Sequence, residues 1–591
     1  MGTNPRRTEA PALRFSHASH LKLACLLGVL YSLSVIQAQD VHSRCGNLTP
    51  SPTLTPFVQP LPIPVEIDIS TGSQLTLGAY KISQSVHPDL PNTTFYGYGT
   101  SQDTATSPGP TLNARRNVAS FIRFENHITD AEHILTVDKT LHRATPANGG
   151  VPMSVHLHGA DAEGKFDGHP EAWFTAAGDK GPTFIATNNT YPNEQPASLL
   201  WYHDHTLGYT RLNVVSGLAG LYFIRGGSGE PGSLPEGRYE IPLVIQDKQF
   251  YPNGSINFPD LGSPLSPAHP QWCPDYFGDT ILVNGKAWPF LDVVGAVYRF
   301  RILNAANARA FTLSFSDSRL QFVQIGTDGG YMWAPQLLQN LTMAPAYRVD
   351  VLVDFSSVPV GTTVYLNNTA PAPFPDGDPI NSPPSTRHVM KFNVVQSIPG
   401  LPAQSVVIPT SIGSAPSTAA WIDSAVYRNV TLDVVLPPDL TFLLNKNHWD
   451  DPVTETPKLY TTEIWDIIHL IPGGIHPIHI HLINFLVLHQ QAFDLTRFNG
   501  GLCSLLLSYP ESLSCYTEAP QPPDATQVGW KDTVIVYPGT RLRILMNFAP
   551  RDGSNYTFDP TTFPGYVWHC HNLDHEDHDM MRPLQILPAA S

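Results

Sequence analysis

Residues 569–580 have the sequence HCHNLDHEDHDM, which places a cysteine, several histidines and a methionine in one short stretch. A cysteine thiolate, two histidines and a weakly bound axial methionine form the ligand set of a blue-copper electron-transfer site. Cys570, His575 and Met580 supply three of these four ligands, so the second histidine must come from elsewhere. The stretch therefore predicts a fold that brings a distant histidine beside Cys570.

Two further histidines flank the cysteine directly. In a β-strand, successive side chains point to opposite faces, so His569 and His571 face one way while the sulfur of Cys570 faces the other. One short strand is thus expected to connect two metal sites.

Three more histidine clusters repeat the i, i+2 spacing, which puts two imidazoles on one face of an extended chain. Their members are His156 and His158, His203 and His205, and His476, His479 and His481. One such pair in a β protein is usually a pair of surface or hydrogen-bonded histidines, but four clusters in one chain predict a multinuclear metal site. The role of His578, inside the last cluster, stays open.

The four clusters resemble, in order and internal spacing, the copper motifs of the multicopper oxidase family. The resemblance covers nearly all of the chain after its leader. The sequences of residues 167–174 (DGHPEAWF) and 282–289 (LVNGKAWP) are similar to those of the bacterial spore-coat laccases, bilirubin oxidases and plant low-phosphate-root ferroxidases. The chain is less similar to the plant lignin-type laccases.

This resemblance implies four copper ions and a role for each motif residue. The implied type 1 ligands are His476, Cys570 and His575, with Met580 axial. The implied type 2 ligands are His156 and His479. The two type 3 coppers would be bound by His158, His203 and His571, and by His205, His481 and His569. Met581 is a rival for the axial place, but Met580 has the family's spacing from Cys570, so Met581 is interpreted as a packing residue.

The implied activity is the oxidation of a small reducing substrate coupled to the four-electron reduction of O₂ to water. Electrons would enter at the type 1 copper and pass through Cys570 to His569 and His571. Oxygen reduction also consumes protons, and Asp167 and Glu576 occupy positions where the spore-coat laccases have acidic residues linked to proton delivery. The alternative for both carboxylates is a salt bridge or a turn.

The leading hypothesis for the electron donor is a phenol, a pigment or a similar organic molecule. The alternative is a ferroxidase, which needs carboxylates near the type 1 copper to bind Fe(II). Asp279 and Asp378 lie in segments similar to those of the plant ferroxidases and are the candidate iron ligands, or else surface turn residues. The residues just before His476 are Gly473, Gly474 and Ile475, so an acidic group is missing there.

Two other hypotheses have less support in the sequence. The chain has only eight methionines and no methionine-rich insert, which argues against a cuprous oxidase that captures Cu(I) with thioethers. A secreted copper-binding glycoprotein without turnover is a further alternative, but every ligand position of the family pattern is intact.

Length, composition and the pattern of short strands favour an all-β protein with several domains. The chain has 591 residues, and its 57 prolines and 43 glycines favour many turns over long helices. Short strands are predicted, for example, at residues 119–124, 218–224, 297–303, 348–354, 431–436 and 540–548, a pattern typical of β-sandwiches. Composition shifts at residues 226–237 and 396–417 divide the chain into residues 39–226, 238–395 and 418–591. The family resemblance implies three cupredoxin-like Greek-key β-sandwich domains, with copper motifs in the first and third.

The N-terminus has the pattern of a secretory signal peptide. Basic residues precede an apolar run at residues 23–35, and Ala38 offers a small residue for cleavage, so residues 1–38 are the expected leader. An uncleaved anchor is the alternative. No later segment approaches the ~20 apolar residues of a transmembrane helix. We therefore expect a secreted protein without a membrane span in its mature form, in the wall, the secretory lumen or the medium. The sequence leaves the oligomeric state open, and a monomer is the expectation.

The cysteines fit an oxidising compartment, and the N-glycosylation sequons are expected to carry glycans if the host is eukaryotic. Cys45, Cys273, Cys503 and Cys515 remain after the leader and the copper motif are set aside, and four cysteines allow three pairings. The preferred pairs are Cys503 with Cys515 and Cys45 with Cys273. Sequons for N-glycosylation begin at Asn47, Asn92, Asn188, Asn253, Asn340, Asn367, Asn429 and Asn555.

The net charge of −16 argues against a nucleic-acid partner and mildly favours cationic substrates.

Overall fold

The computed structural model describes residues 48–226, 231, 234–264, 266–380, 386–404, 406–435, 440–505 and 514–589. The predicted signal peptide, Cys45 and Asn47 lie outside the described residues. Within these ranges the chain is built of strands with four short α-helices, which confirms the all-β prediction. None of the helices is long and apolar enough to cross a membrane.

The first two sheets lie within residues 66–225. Their strand orders are β1-β4-β9-β8-β6 and β3-β2-β5-β7. The elements are β1 (Glu66–Asp68), β2 (Gln74–Gln84), β3 (Thr93–Gly99), β4 (Thr111–Arg115), β5 (Ser120–Asn126), β6 (Val155–His158), β7 (Asn188–Tyr191), β8 (Ser198–Asp204), helix α1 (Thr210–Val215) and β9 (Ala219–Arg225). In β5, buried Ile122 and Phe124 alternate with exposed Phe121 and Arg123, as expected of a strand with one solvated face.

The second pair of sheets lies within residues 240–394 and contains no histidine cluster. The strand orders are β12-β11-β10-β14-β19-β16-β17 and β13-β21-β20-β15-β18. The strands are β10 (Glu240–Lys248), β11 (Thr280–Val283), β12 (Lys286–Ala287), β13 (Phe290–Val293), β14 (Val297–Asn304), β15 (Phe311–Phe315), β16 (Phe322–Thr327), β17 (Gly330–Leu338), β18 (Leu341–Met343), β19 (Arg348–Asp354), β20 (Thr363–Asn368) and β21 (His388–Val394).

The third pair of sheets lies within residues 426–584, with orders β23-β22-β24-β28-β26 and β27-β25-β29-β30. The elements are helix α2 (Ala419–Ser424), β22 (Val426–Val435), β23 (Thr441–Leu444), β24 (Thr462–His469), β25 (His476–Ile480), β26 (Phe485–Ala492), helix α3 (Leu495–Asn499), β27 (Thr533–Val536), β28 (Thr540–Asn547), β29 (Tyr566–Cys570), helix α4 (Leu573–Glu576) and β30 (Met581–Leu584). Short 3₁₀ helices occur at Gln102–Thr104, Gly164–Phe166, Gly237–Tyr239 and Ala525–Gln527.

Strands β8 and β9 are buried on both faces because the second pair of sheets packs against the first. Leu199 of β8 and Phe223 of β9 share one apolar cluster with Val244 of β10 and Leu303 of β14. Every residue of β8 is buried; the strand contains His203, and His205 follows its last residue. The packing fixes one histidine cluster against the neighbouring sheets.

The six strands named from the sequence all exist, with bounds that differ by a few residues. The largest difference is at the predicted strand 431–436, because β22 begins earlier, at Val426. Cys503 and Cys515 form a disulfide with a Cα–Cα distance of 5.1 Å, as predicted. Cys273 is also disulfide-bonded. Its pairing with Cys45 stays a prediction, because Cys45 lies outside the described residues.

Candidate metal centre

Three side chains from separate segments form a compact, buried N₂S group. Strand β25 begins at His476, β29 ends at Cys570, and α4 carries His575. Antiparallel pairing of β25 with β29 sets Ile478 opposite Cys570, which brings the start of β25 near the sulfur. The Nδ1 atom of His476 lies 3.3 Å from Cys570 Sγ and 3.3 Å from His575 Nδ1, and the latter lies 3.9 Å from the sulfur.

The two adjacent methionines enter different parts of the core. Met580 is fully buried in the apolar cluster that contains Cys570, and its carbonyl accepts a hydrogen bond from the Cys570 N–H at 3.0 Å. Met581 packs instead in a separate cluster with Leu207 and Trp449. This placement favours Met580 over Met581 as a fourth ligand to the N₂S group.

Cys570 is the free cysteine of the described residues, and it is buried. Burial raises the pKa of the Cys570 thiol well above its usual range. Such a thiol becomes a thiolate when a cation replaces its proton, as in a metal site. The N₂S geometry and the buried sulfur therefore fit a copper ion.

Eight further histidines meet where the first and third pairs of sheets face each other. Register brings them together, because β6 pairs with β8 at His156 and His203, and β25 pairs with β29 at His479 and His569. Across the interface the His156 and His481 rings stack at 3.9 Å. The eight residues are His156, His158, His203, His205, His479, His481, His569 and His571, all buried.

Many ring nitrogens in this cluster have no hydrogen-bond partner among the described residues. His156 and His479 each have Nδ1 beside a backbone carbonyl, at 2.5 Å from Asp167 O and 2.8 Å from Asp532 O, whereas their Nε2 atoms are unpaired. His203 Nε2, His158 Nδ1 and both nitrogens of His571 are unpaired as well. A buried unpaired nitrogen is costly, and a bound metal ion removes that cost.

Three other nitrogens converge on one another. His569 Nε2 lies 3.2 Å from His205 Nε2 and 3.3 Å from His481 Nε2. Burial is the main cause that lowers the pKa of His205 and His569 to about 3, so both rings are neutral near pH 7. Neutral imidazoles present lone pairs, and three of them at one point form a site for a cation.

The two carboxylates predicted for proton delivery contact these histidines. Asp167 Oδ2 lies 2.6 Å from His481 Nδ1, and Glu576 Oε2 lies 3.1 Å from His569 Nδ1. The other oxygen of Glu576 is 3.5 Å from His205 Nδ1. Both carboxylates are buried, and burial raises the pKa of each. Each carboxylate is therefore placed to orient a histidine, and its raised pKa favours the protonated form more than in water.

A small cavity of about 20 Å³ reaches the edge of the N₂S group. Its walls include His476, His575, Asp275, Pro373 and Phe374. Asp275 Oδ1 lies 3.6 Å from His575 Nε2 and accepts a hydrogen bond from the Asn572 amide at 2.6 Å. Asp275 could not be identified from the sequence, although it lies only four residues before Asp279, because no local pattern distinguishes the two aspartates.

The two aspartates predicted as iron ligands lie away from the cavity wall. Asp279 accepts hydrogen bonds from the Ser51 N–H at 2.8 Å and the Thr280 hydroxyl at 3.0 Å. Asp378 is exposed, and its N–H donates to the Ala372 carbonyl at 3.0 Å. Neither lines the cavity, although the loop that ends at Asp378 also carries Phe374, which does.

His578 has a packing role. Its ring stacks on Trp272 with centroids 3.9 Å apart, and it meets His269 edge to face at 4.6 Å. The Trp272 indole N–H in turn donates to the Asp574 carbonyl at 2.9 Å. These contacts fix the segment that carries His575.

Comparison with known proteins agrees with this arrangement. Two family models, both described as multicopper oxidase, match residues 268–377 and 423–590. The chain is 40% identical to the multicopper oxidase LPR1 of Arabidopsis thaliana, over 87% of this chain and 89% of that protein. It is 37% identical to a laccase of Bacillus subtilis, over 90% of this chain and 99% of the laccase.

A solved structure has the same fold. The McoA multicopper oxidase from the hyperthermophile Aquifex aeolicus matches 89% of this chain and 99% of its own, with a TM-score of 0.67 and 26% identity. The buried histidines and Cys570 provide the donor set that copper requires. The chain belongs to the multicopper oxidase family, whose members bind copper and oxidise a reducing substrate with O₂.

Proposed function

We propose that the N₂S group and the histidine cluster hold the four copper ions of the oxidase. In this assignment His476, Cys570, His575 and Met580 bind the type 1 copper. The remaining ions are bound by His156 and His479 (type 2), by His158, His203 and His571, and by His205, His481 and His569 (type 3). The unpaired buried nitrogens and the facing Nε2 atoms support this assignment.

Copper, when bound, supplies the one-electron redox steps and the reduction of O₂. The protein provides the route and the surroundings. Cys570 lies between His569 and His571, so one short stretch of backbone joins the sulfur to two histidines of the cluster. Full burial of these residues excludes bulk water from the path. Asp167 and Glu576 hold protons next to cluster histidines, where O₂ reduction consumes them.

We propose Fe(II) as the electron donor that the site supports best. The observation that carries this proposal is the Asp275 carboxylate, 3.6 Å from His575 Nε2 on the wall of the 20 Å³ cavity. A cavity of this size admits about one water-sized occupant, so it suits a metal cation better than an aromatic ring. A carboxylate beside the electron-accepting histidine attracts Fe(II) and binds the Fe(III) product.

Replacing Asp275 with asparagine tests this proposal. The variant keeps the side-chain volume and removes the charge, so the KM for Fe(II) is expected to rise at least about tenfold, the loss expected for a hydrogen bond or contact with a charged group. The blue absorption and the KM for a phenolic donor should stay close to the wild-type values. Steady-state O₂ uptake with each donor measures both quantities.

Matched controls are Asp279→Asn and Asp378→Asn. Both carboxylates lie off the cavity wall, so each change should alter the KM for Fe(II) by less than about twofold, within the range of a surface charge effect. An unchanged KM for Fe(II) in the Asp275 variant would contradict the proposal. A tenfold effect in the Asp378 variant instead would move the iron site to the loop at residues 372–378.

Oxidation of small phenols is the second candidate function. Phe277, Pro373 and Phe374 also line the cavity and give it an apolar surface against which an aromatic ring can pack. The similarity to a protein named laccase also supports this candidate. Such a donor would pack against these side chains and pass its electron to the type 1 copper through His476 or His575.

We also propose the domain division and the location predicted from the sequence. Three domains at residues 39–226, 238–395 and 418–591 are supported by three pairs of sheets within residues 66–225, 240–394 and 426–584. Secretion is supported by the basic and apolar N-terminal sequence and by the Cys503–Cys515 disulfide. We propose that the secreted protein acts as a monomer.

A further inference from the structure

Four charged side chains are buried together beside the histidine cluster. Asp328, in the turn between β16 and β17, and Arg348, the first residue of β19, belong to the second pair of sheets. Lys531 and Asp532 immediately precede β27 in the third pair. Each of the four side chains is at most 1% exposed. Buried charges of this kind persist when they are paired.

The four charges form two ion pairs that cross the interface between these sheets. Arg348 contacts both carboxylate oxygens of Asp532 in a bidentate pair, with Nη1 at 2.7 Å from Oδ1. Lys531 Nζ lies 2.7 Å from Asp328 Oδ2. The backbone N–H of Arg348 also donates a hydrogen bond to Asp328 Oδ1 at 2.9 Å. Asp532 is therefore held by a residue from sheets that contain no histidine cluster.

Asp532 in turn contacts two histidines of the cluster. Its backbone carbonyl lies 2.8 Å from His479 Nδ1, and its Oδ1 atom lies 3.1 Å from His158 Nε2. Thr533, which pairs with His479 in the β25–β27 register, places its hydroxyl 3.1 Å from the same nitrogen of His158. In each ring, the nitrogen that contacts Asp532 is not the unpaired one. The unpaired nitrogens are Nε2 in His479 and Nδ1 in His158.

The backbone next to His158 gives a second, independent sign of this arrangement. Gly159 has a φ of +90°, and a Cβ atom at this position would lie 2.6 Å from Arg348 Nη2 and 2.7 Å from Asp532 Oδ2. Any larger residue would therefore collide with the ion pair. Glycine is therefore required at residue 159, where the backbone that follows His158 passes the ion pair.

We infer that Arg348 is a positioning residue for the type 2 copper site, acting through Asp532 on the proposed type 2 ligand His479. Asp532 also contacts His158, the proposed type 3 ligand beside it. The inference rests on the proposed ligand assignment, in which these two histidines bind copper. The Arg348 guanidinium fixes the Asp532 carboxylate, and Asp532 fixes the rotation of both imidazoles. The second pair of sheets is in this way a part of the type 2 site, although it supplies no ligand.

The test uses the full-length, copper-loaded protein with Arg348 replaced by methionine. We expect the type 2 electron paramagnetic resonance signal to change and the type 2 copper to be lost about 10- to 100-fold more readily to a chelator, as when other supporting groups of metal ligands are removed. The blue absorption and the KM for the donor should be unchanged. Arg348→Lys keeps the charge without the bidentate geometry and should restore the signal in part.

The matched control is Arg301→Met. Arg301 is also buried in the second pair of sheets and is ion-paired, to Glu240 at 3.0 Å, but it contacts no cluster histidine. This variant should lose thermal stability and keep the wild-type type 2 signal. Equal changes of the type 2 signal in both variants would overturn the inference, since they would reflect general loosening of the domain.

A type 2 signal and copper affinity unchanged in folded Arg348→Met would also overturn the inference. If Arg348→Met does not fold, Asp532→Asn decides, because asparagine keeps the side-chain shape and the backbone carbonyl while it removes the charge that Arg348 binds. An unchanged type 2 signal in that variant would overturn the inference. Failure of the ligand assignment itself is recognised separately, by a type 2 signal that survives in His479→Ala.

Discussion

Cys570→Ser is expected to abolish both the blue absorption and the oxidation of any donor. The sulfur is the covalent link between the N₂S group and the two flanking histidines, and a serine hydroxyl does not replace a copper-bound thiolate. Loss of a group that supports a metal ligand lowers metal affinity or activity by about 10- to 100-fold. Loss of the ligand Cys570 itself should therefore reduce kcat by more than that. Visible absorption and O₂ uptake measure the two effects.

The control for this variant is Met581→Leu. Met581 is buried close to the ligand loop but packs in a separate apolar cluster, and leucine preserves its volume, so the cost in stability should be below about 1.5 kcal/mol. Its blue absorption and turnover should match those of the wild type. Turnover in purified Cys570→Ser, or a wild-type protein without blue absorption, would refute the assignment of Cys570.

Glu576→Gln is expected to lower kcat by about 10²- to 10⁴-fold, the usual contribution of a positioned proton donor. Glutamine keeps the side-chain shape and one acceptor oxygen for His205 or His569, but it carries no acidic proton. Anaerobic reduction of the type 1 site by the donor should proceed at the wild-type rate, whereas reoxidation by O₂ should be slow. Stopped-flow measurement of the two half-reactions separates these steps.

The neighbouring carboxylate provides a matched control for Glu576. Asp577 is equally buried, but it accepts hydrogen bonds from the backbone of α1 and from Arg211 at 2.9 Å. Asp577→Asn should therefore lower the melting temperature without selectively slowing reoxidation. Equal slowing of both half-reactions in Glu576→Gln would indicate a structural role for Glu576, and unaltered reoxidation would exclude it from proton delivery.

The strands and the histidine clusters could be predicted because their signals are local. Alternating burial marks a strand such as β5, and the i, i+2 spacing marks two imidazoles on one face. The resemblance to a known family then supplied the partners of each motif. His476 and Cys570, 94 residues apart, meet in the structure at 3.3 Å.

Contacts that depend on the docking of separate sheets could not be predicted. Arg348 and Asp532 are separated by 184 residues, and nothing in the sequence around either marks it as a partner of a copper ligand. Asp275 was missed for the same reason, since its proximity to His575 depends on how residues 272–276 pack against α4. Similarity of the local sequence to the plant ferroxidases instead favoured Asp279 as an iron ligand, but its carboxylate accepts a hydrogen bond from the Ser51 N–H.

O₂ uptake by the copper-loaded protein, with Fe(II) and a phenol compared at one pH and corrected for protein-free iron oxidation, tests the central claim most directly. The Asp275-lined cavity predicts saturable Fe(II) oxidation, with four Fe(II) ions oxidised for each O₂ reduced to water, and slower oxidation of the phenol. Efficient phenol oxidation, with Fe(II) oxidised no faster than without protein, would contradict the proposed donor and favour the laccase-type function.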